Sequence, residues 1–90
     1  VLPQEYNLSM PYPNPFNPIV NFNFSIPEKN HVKVIIYDIR GRIVTELLNE
    51  IKEPGIYRTN WIADNYASGI YFIEFNSGSF KDVRKITLLK

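Results

Sequence analysis

Apolar and polar residues alternate with a period of two over most of this chain. Val20, Phe22, Phe24 and Ile26 are separated by Asn21, Asn23 and Ser25, the pattern of a strand with one buried face. The polar turn Pro27-Glu28-Lys29-Asn30 ends it. A second strand runs from His31 to Ile39, with Val32, Val34 and Ile36 on one face and Lys33, Ile35 and Tyr37 on the other. Asp38-Ile39-Arg40-Gly41 reads as a type I turn, Asp in its first position and Gly in its fourth. A third strand follows from Arg42 to Leu48. Ile43, Leu47, Leu48 and Ile51 also fit a helical stripe, and Glu46, Leu47 and Leu48 are good helix formers. The short preceding turn favours a hairpin partner, so strand is the assignment.

Glu53-Pro54-Gly55 is a turn, Ile56 to Trp61 a fourth strand, and Ala63 to Gly69 a polar loop. Ile70 to Phe75 is strongly β-prone, and Asn76-Ser77-Gly78-Ser79 closes a hairpin onto Phe80 to Leu89. Strands every 8–12 residues with turns between them indicate an all-β sandwich or barrel. The segment Tyr12-Pro13-Asn14-Pro15-Phe16-Asn17-Pro18 breaks the pattern. Its three prolines fix φ and remove three donors, which excludes helix and central strand. The residues before them are pushed towards extended geometry, and two of these are Asn, suited to side-chain-capped turns. Residues 1–18 thus form a stiff leader, in which Tyr12 and Phe16 supply two aromatics to pack on a sandwich of residues 19–90. The stretch up to Pro11 is the one linker candidate.

Composition narrows the class. The chain has 90 residues, enough for one domain, with 44% hydrophobic and 21% charged residues, which argues against disorder. Aromatics reach 14% and cysteine is absent, so bulky apolar burial must do what disulfides do elsewhere. A formal net charge of +1 gives no electrostatic footprint for nucleic acid or an acidic membrane. No apolar run approaches the roughly 18–20 residues of a membrane helix. The chain begins at Val1 rather than Met, as expected of a piece excised from a longer protein.

Several segments together resemble a known family. Leu2-Pro3-Gln4-Glu5-Tyr6-Asn7-Leu8 and the proline-rich run resemble the start of type A C-terminal sorting domains of the type IX, or Por, secretion system. The similarity continues through Val34 to Val44 with Gly41, and through Pro54-Gly55-Ile56-Tyr57 with Trp61. It resumes at Ala67-Ser68-Gly69-Ile70-Tyr71-Phe72 and at the tail Arg84-Lys85-Ile86-Thr87-Leu88-Leu89-Lys90. The immunoglobulin-like domain of the flagellar hook-capping protein shares the middle segments. One departure is clear: relatives place Asp and Gly after the tryptophan, whereas Trp61 is followed here by Ile62-Ala63-Asp64-Asn65.

The resemblance implies an immunoglobulin-like antiparallel β-sandwich of about seven strands. It also implies a signal that directs an N-terminal cargo domain through the type IX machinery of a Gram-negative bacterium. Such a domain passes through the periplasm to the cell surface, where a sortase-type protease removes it. Recognition would fall on Arg84, Lys85, Ile86, Thr87, Leu88, Leu89 and Lys90. A terminal strand on a sheet edge is readable by β-augmentation. Lys81, Arg84, Lys85 and Lys90 against Asp82 make this end locally +3, which would steer an acidic receptor. The alternative reading of the tail is a plain final strand, with Ile86 and Leu88 inward and Arg84, Lys85 and Lys90 solvated.

Rival functions leave fewer traces. Tyr57, Trp61 and Tyr66 raise the possibility of a retained carbohydrate- or surface-binding module, although Trp61 alternates with Thr59 and Tyr57 as a core or rim residue would. A structural spacer is the third reading. Ile35 and Tyr37 form either an exposed apolar patch or the floor beneath a covering loop. His31 is the single histidine and sits where a turn becomes a strand; Glu46 and Glu50 pair only on a helix. Asn60, Asp64 and Asn65 match no calcium-loop spacing, and there is no Gly-rich phosphate cradle. The expectation is a non-enzyme with no cofactor, no nucleic-acid partner and no small-molecule substrate.

Overall fold

The period-two segments fold as strands, and the leader adds one more. The structure, a computed structural model, describes residues 2–90; Val1, the first residue of the predicted leader, lies outside them. Seven strands follow in order: β1 Asn7–Leu8, β2 Ile19–Ile26, β3 Asn30–Asp38, β4 Ile43–Lys52, β5 Gly55–Ile62, β6 Gly69–Ser77 and β7 Phe80–Leu88. They form a three-stranded sheet ordered β1-β2-β5 and a four-stranded sheet ordered β4-β3-β6-β7, with every strand pair antiparallel. The described residues contain no helix. This is the all-β, immunoglobulin-like sandwich that the sequence predicts.

The alternation decides which side chains meet between the sheets. Val20, Phe22, Phe24 and Ile26 of β2 face Val32, Val34 and Ile36 of β3 and Tyr71, Ile73 and Phe75 of β6, all buried. Two aromatic groups fill the ends of this layer. Phe24, Phe75 and Phe80 stack with Tyr57 and Tyr6 at one end, and Trp61 meets Phe16, Tyr66 and Tyr71 at the other, with centroids 5.0–5.8 Å apart. Tyr71 hydroxyl donates to the carbonyl of Ala67 four residues upstream at 2.6 Å, the tyrosine corner of immunoglobulin-like sandwiches. Burial raises its pKa, with Asp38 and Tyr66 adding to the effect.

The helical look of the third predicted strand has a physical source. Along the β3–β4 pairing, Ile36 opposes Thr45 but Tyr37 opposes Ile43, and Val34 opposes Leu48 but Ile35 opposes Glu46. Val44 and Leu47 are therefore extra residues in two β-bulges. Each bulge lets an adjacent residue lean inwards, so Val44, Leu47 and Leu48 all pack on the core. Ile43 and Ile51, at 64% and 63% exposure, face solvent. A spacing near three results, which imitates a helix while the backbone stays extended. The strand runs on to Lys52, four residues past the predicted end.

The turns follow their chemistry. Asp38 Oδ1 accepts from the amides of Arg40 and Arg42 at 2.9 and 3.0 Å, and the Gly41 amide donates to the Asp38 carbonyl. Those bonds, the Arg42 amide first, hold the Asp38 carboxyl below its usual pKa. Gly41 takes φ +81°, which L side chains rarely adopt. Gly78, at φ +59°, opens the two-residue turn joining β6 to β7.

Of the two aromatics in the proline run, only Phe16 enters the core. Phe16 is 1% exposed, whereas Tyr12 is 46% exposed and holds on through its backbone, exchanging hydrogen bonds with Asn21. Phe16→Ala should cost about 3–5 kcal/mol of unfolding free energy, a large part of the roughly 5–15 kcal/mol of a typical domain. Tyr12→Ala should cost under about 1 kcal/mol, as for an ordinary surface change. Urea melts of the two variants check this; equal losses would show that the ring of Tyr12 packs as firmly as that of Phe16.

Candidate recognition site at the C-terminal strand

β7 is an edge strand of the four-stranded sheet, and its side chains divide by parity. Ile86 and Leu88 are fully buried against the core. Arg84 also points inwards, half-buried rather than solvated: its Nη2 donates to the Leu8 carbonyl of β1 at 2.8 Å and pairs with Asp82 at 3.3 Å. Arg84 thereby ties one sheet to the other. Lys85 lies on the outer face, exposed, and Leu89 is 55% exposed. Lys90 is exposed but tethered, its amide donating to Ser68 Oγ and its ammonium to the Asp64 carbonyl.

The outer edge of β7 is already occupied. Asn14 Nδ2 donates to the Lys85 carbonyl at 3.1 Å, and Asn14 Oδ1 accepts from the Thr87 amide at 3.0 Å. The Phe16 amide donates to the Thr87 carbonyl, and the Leu89 amide donates to the Phe16 carbonyl. Leader and tail form a short parallel bridge there. Further along, the Val83 amide donates to Asp82 Oδ1. A receptor strand therefore finds no free backbone between Lys85 and Leu89 while the leader is seated, and what the tail offers is the side chains of Lys85, Leu89 and Lys90. The basic excess is also smaller than the local sequence suggests, because Lys81 pairs with Glu74 of β6 at 3.5 Å.

The same edge explains the proline run. Tyr12, Asn14, Phe16 and Pro18 supply every leader group that bonds between residues 12 and 18, the Pro18 carbonyl accepting from Ala63. Pro13 and Pro15 fall between them, exposed, with no amide to leave unsatisfied. Asn17 is exposed. Gly55 and Gly69 open β5 and β6; a Cβ at position 55 would meet the Tyr57 ring at ordinary contact distance. The role of Asn14 was not legible in the sequence, since nothing local reveals that its amide reaches a strand 71 residues away.

The rest of the surface offers less. Tyr37, Asp38, Ile39, Gly41, Phe72, Glu74 and Val83 line an open depression of about 470 Å³ on the outer face of the four-stranded sheet. Ile35 beside it is 5% exposed, flanked across the strands by Glu46 and Glu74. Tyr37 hydroxyl donates to Glu74, and burial together with that carboxylate raises its pKa. Trp61 is 3% exposed, and Tyr57 and Tyr66 are half-buried and pack on the core. Among the described residues, no three His, Cys, Asp or Glu side chains converge as metal ligands do.

Comparison with protein families matches residues 11–89 to the secretion system C-terminal sorting domain. The chain belongs to that family. Comparison with curated proteins gives no match. The family is one of type IX secretion signals, not of enzymes. Membership implies contact with the secretion machinery and a cargo domain, and export through the periplasm to the outer membrane or surface of Gram-negative Bacteroidetes. The match takes in both halves of the leader–tail contact.

Asn14→Ala removes the groups that cap Lys85 and Thr87 on this sorting domain. It should lower stability by about 1 kcal/mol and speed hydrogen exchange at the Thr87 amide well beyond that of Ile86. NMR-detected exchange reads both amides; an unchanged Thr87 rate would show that Asn14 does not guard the edge.

Proposed function

We propose that the folded sandwich is the sorting signal, read through the tail side chains Lys85, Leu89 and Lys90, and that the cargo is later released by a cut ahead of the sandwich. The leader–tail bridge carries the first half of this reading. It satisfies the backbone of the last strand and leaves those three side chains outward, so specificity rests on them and the backbone contributes little. Lys85 and Lys90 retain their charge outward, suited to an acidic receptor surface.

The sheet pairing supports a position for the cut. A protease needs extended, unpaired backbone. From Glu5 onward the chain is engaged: the Glu5 carbonyl accepts from Ser25 Oγ, Tyr6 stacks on Phe80, and Asn7 opens β1. The sortase-type cut therefore falls before Glu5, and the released fragment keeps its whole proline run.

Removing Lys85 to Lys90 would take Ile86 and Leu88 out of the core, so truncation confuses unfolding with lost recognition. A cleaner experiment fuses the chain behind an exported reporter in a bacterium with type IX machinery and introduces Lys85→Glu, Leu89→Ser and Lys90→Glu together. Surface reporter should fall about tenfold or more, consistent with like charges set against a receptor, while the melting temperature of the variant domain stays within a few degrees. Normal secretion of the triple variant would remove these side chains from recognition. Terminal sequencing of the fragment shed by the parent fusion should place its start before Glu5; a start inside residues 7–18 would contradict the proposed cut.

A further inference from the structure

The sandwich has four sheet edges, and three are protected against adding a strand. β1 is two residues long, β4 carries two bulges with Glu46, Glu50 and Lys52 along it, and β7 is covered by Asn14 and Phe16 from Lys85 to Leu89 and carries Lys81, Asp82 and Arg84 before that. β5 has none of these devices. It pairs with β2 in unbroken register from Ile19↔Ile62 to Ile26↔Gly55, contains no proline, and carries one charge, Arg58.

The phase of its free backbone follows from the β2 side. The Ala63 amide donates to the Pro18 carbonyl, so in antiparallel alternation Trp61, Thr59 and Tyr57 also turn their groups towards β2. Ile56, Arg58, Asn60 and Ile62 then direct both N–H and C=O outwards. Their side chains lie on the exposed face, Ile56 at 70% and Ile62 at 54% exposure, with Ile19 at 41% beside Ile62.

We infer that β5 pairs with β5 of a second copy of this chain, antiparallel about a two-fold axis at Thr59, joining two three-stranded sheets into one of six strands. The occupant follows from self-complementarity. In this register Ile56 faces Ile62 of the other copy, so both exposed isoleucines are covered, and Arg58 faces Asn60. All four outward residues exchange both backbone bonds. Sliding two residues one way sets Arg58 against Arg58, a like-charge pair that cross-strand packing disfavours; sliding the other way leaves Ile56 without a partner. The pairing stands independently of the sorting role.

Sedimentation velocity on the full chain, from micromolar to millimolar concentration, should show a weak monomer–dimer equilibrium. The amides of Ile56, Arg58, Asn60 and Ile62 should gain exchange protection as dimer forms. Asn60→Pro should stay folded, because its lost N–H points away from β2, and should be monomeric throughout. Asn60→Glu, opposite Arg58 of the other copy, should tighten the dimer about threefold to tenfold, and Asn60→Lys should loosen it. A monomer at every concentration, or a dimer indifferent to Asn60→Pro, overturns the inference. Weakening by Asn60→Glu overturns the register, and protection of these amides only when cargo protein is added assigns the edge to cargo instead.

Discussion

The contact on which this fold depends is the strap that residues 7–16 lay across the gap between its two sheets. The sheets are held face to face by apolar burial, which is strong but non-directional. Nothing in that force fixes where one edge lies relative to the other. The leader does: it pairs with Ser25, Phe24 and Asn21 of β2, then crosses to bond Lys85, Thr87 and Leu89 of the tail. Arg84 reinforces the same seam from inside by reaching Leu8. Phe16 fills the end of the core below the strap, against Trp61.

A strap with these duties needs an unusual sequence. Ordinary residues at every position would present donors that no neighbour accepts, and an exposed strand edge would invite foreign strands. Proline at positions 13 and 15 removes the surplus donors and stiffens the backbone, so less conformational freedom is lost when the strap is seated. The residues between supply the bonds. What looks in sequence like an interruption of the β pattern is thus the piece that closes the sandwich.

Strands β2, β3, β6 and β7 were legible because each buries one face, so that period two survives in the sequence. β4 was less so: its bulges shift side chains between faces, and Ile43 and Ile51, counted with Leu47 and Leu48 as one stripe, turn out on the opposite side. The short β1 left no trace, since two residues carry no periodicity and Leu8 reads as inward only once β2 lies beside it. In the tail, Ile86 and Leu88 were readable as core. Arg84 was not, because a charged side chain at an inward position turns inwards only when a distant carbonyl, here that of Leu8, receives it. The occupied edge was hidden for the same reason: Asn14 and Thr87 are far apart in sequence and meet only after both sheets have formed.

That long-range closure couples the two ends of the chain. The leader lies nearest any N-terminal cargo, and the tail carries the outward Lys85, Leu89 and Lys90. β6 holds one edge of the tail strand, but because Phe16 bonds both Thr87 and Leu89, its other edge is closed only when the leader is seated, and the seated leader places Phe16 in the core. Both conditions require the two sheets to be assembled. The geometry in which the tail presents its side chains is therefore a property of the completed sandwich rather than of its last seven residues. A peptide of those seven residues would carry Arg84, Ile86 and Leu88 but have neither the core nor the Leu8 carbonyl that turns them inwards, so nothing would set which side chains remain outside.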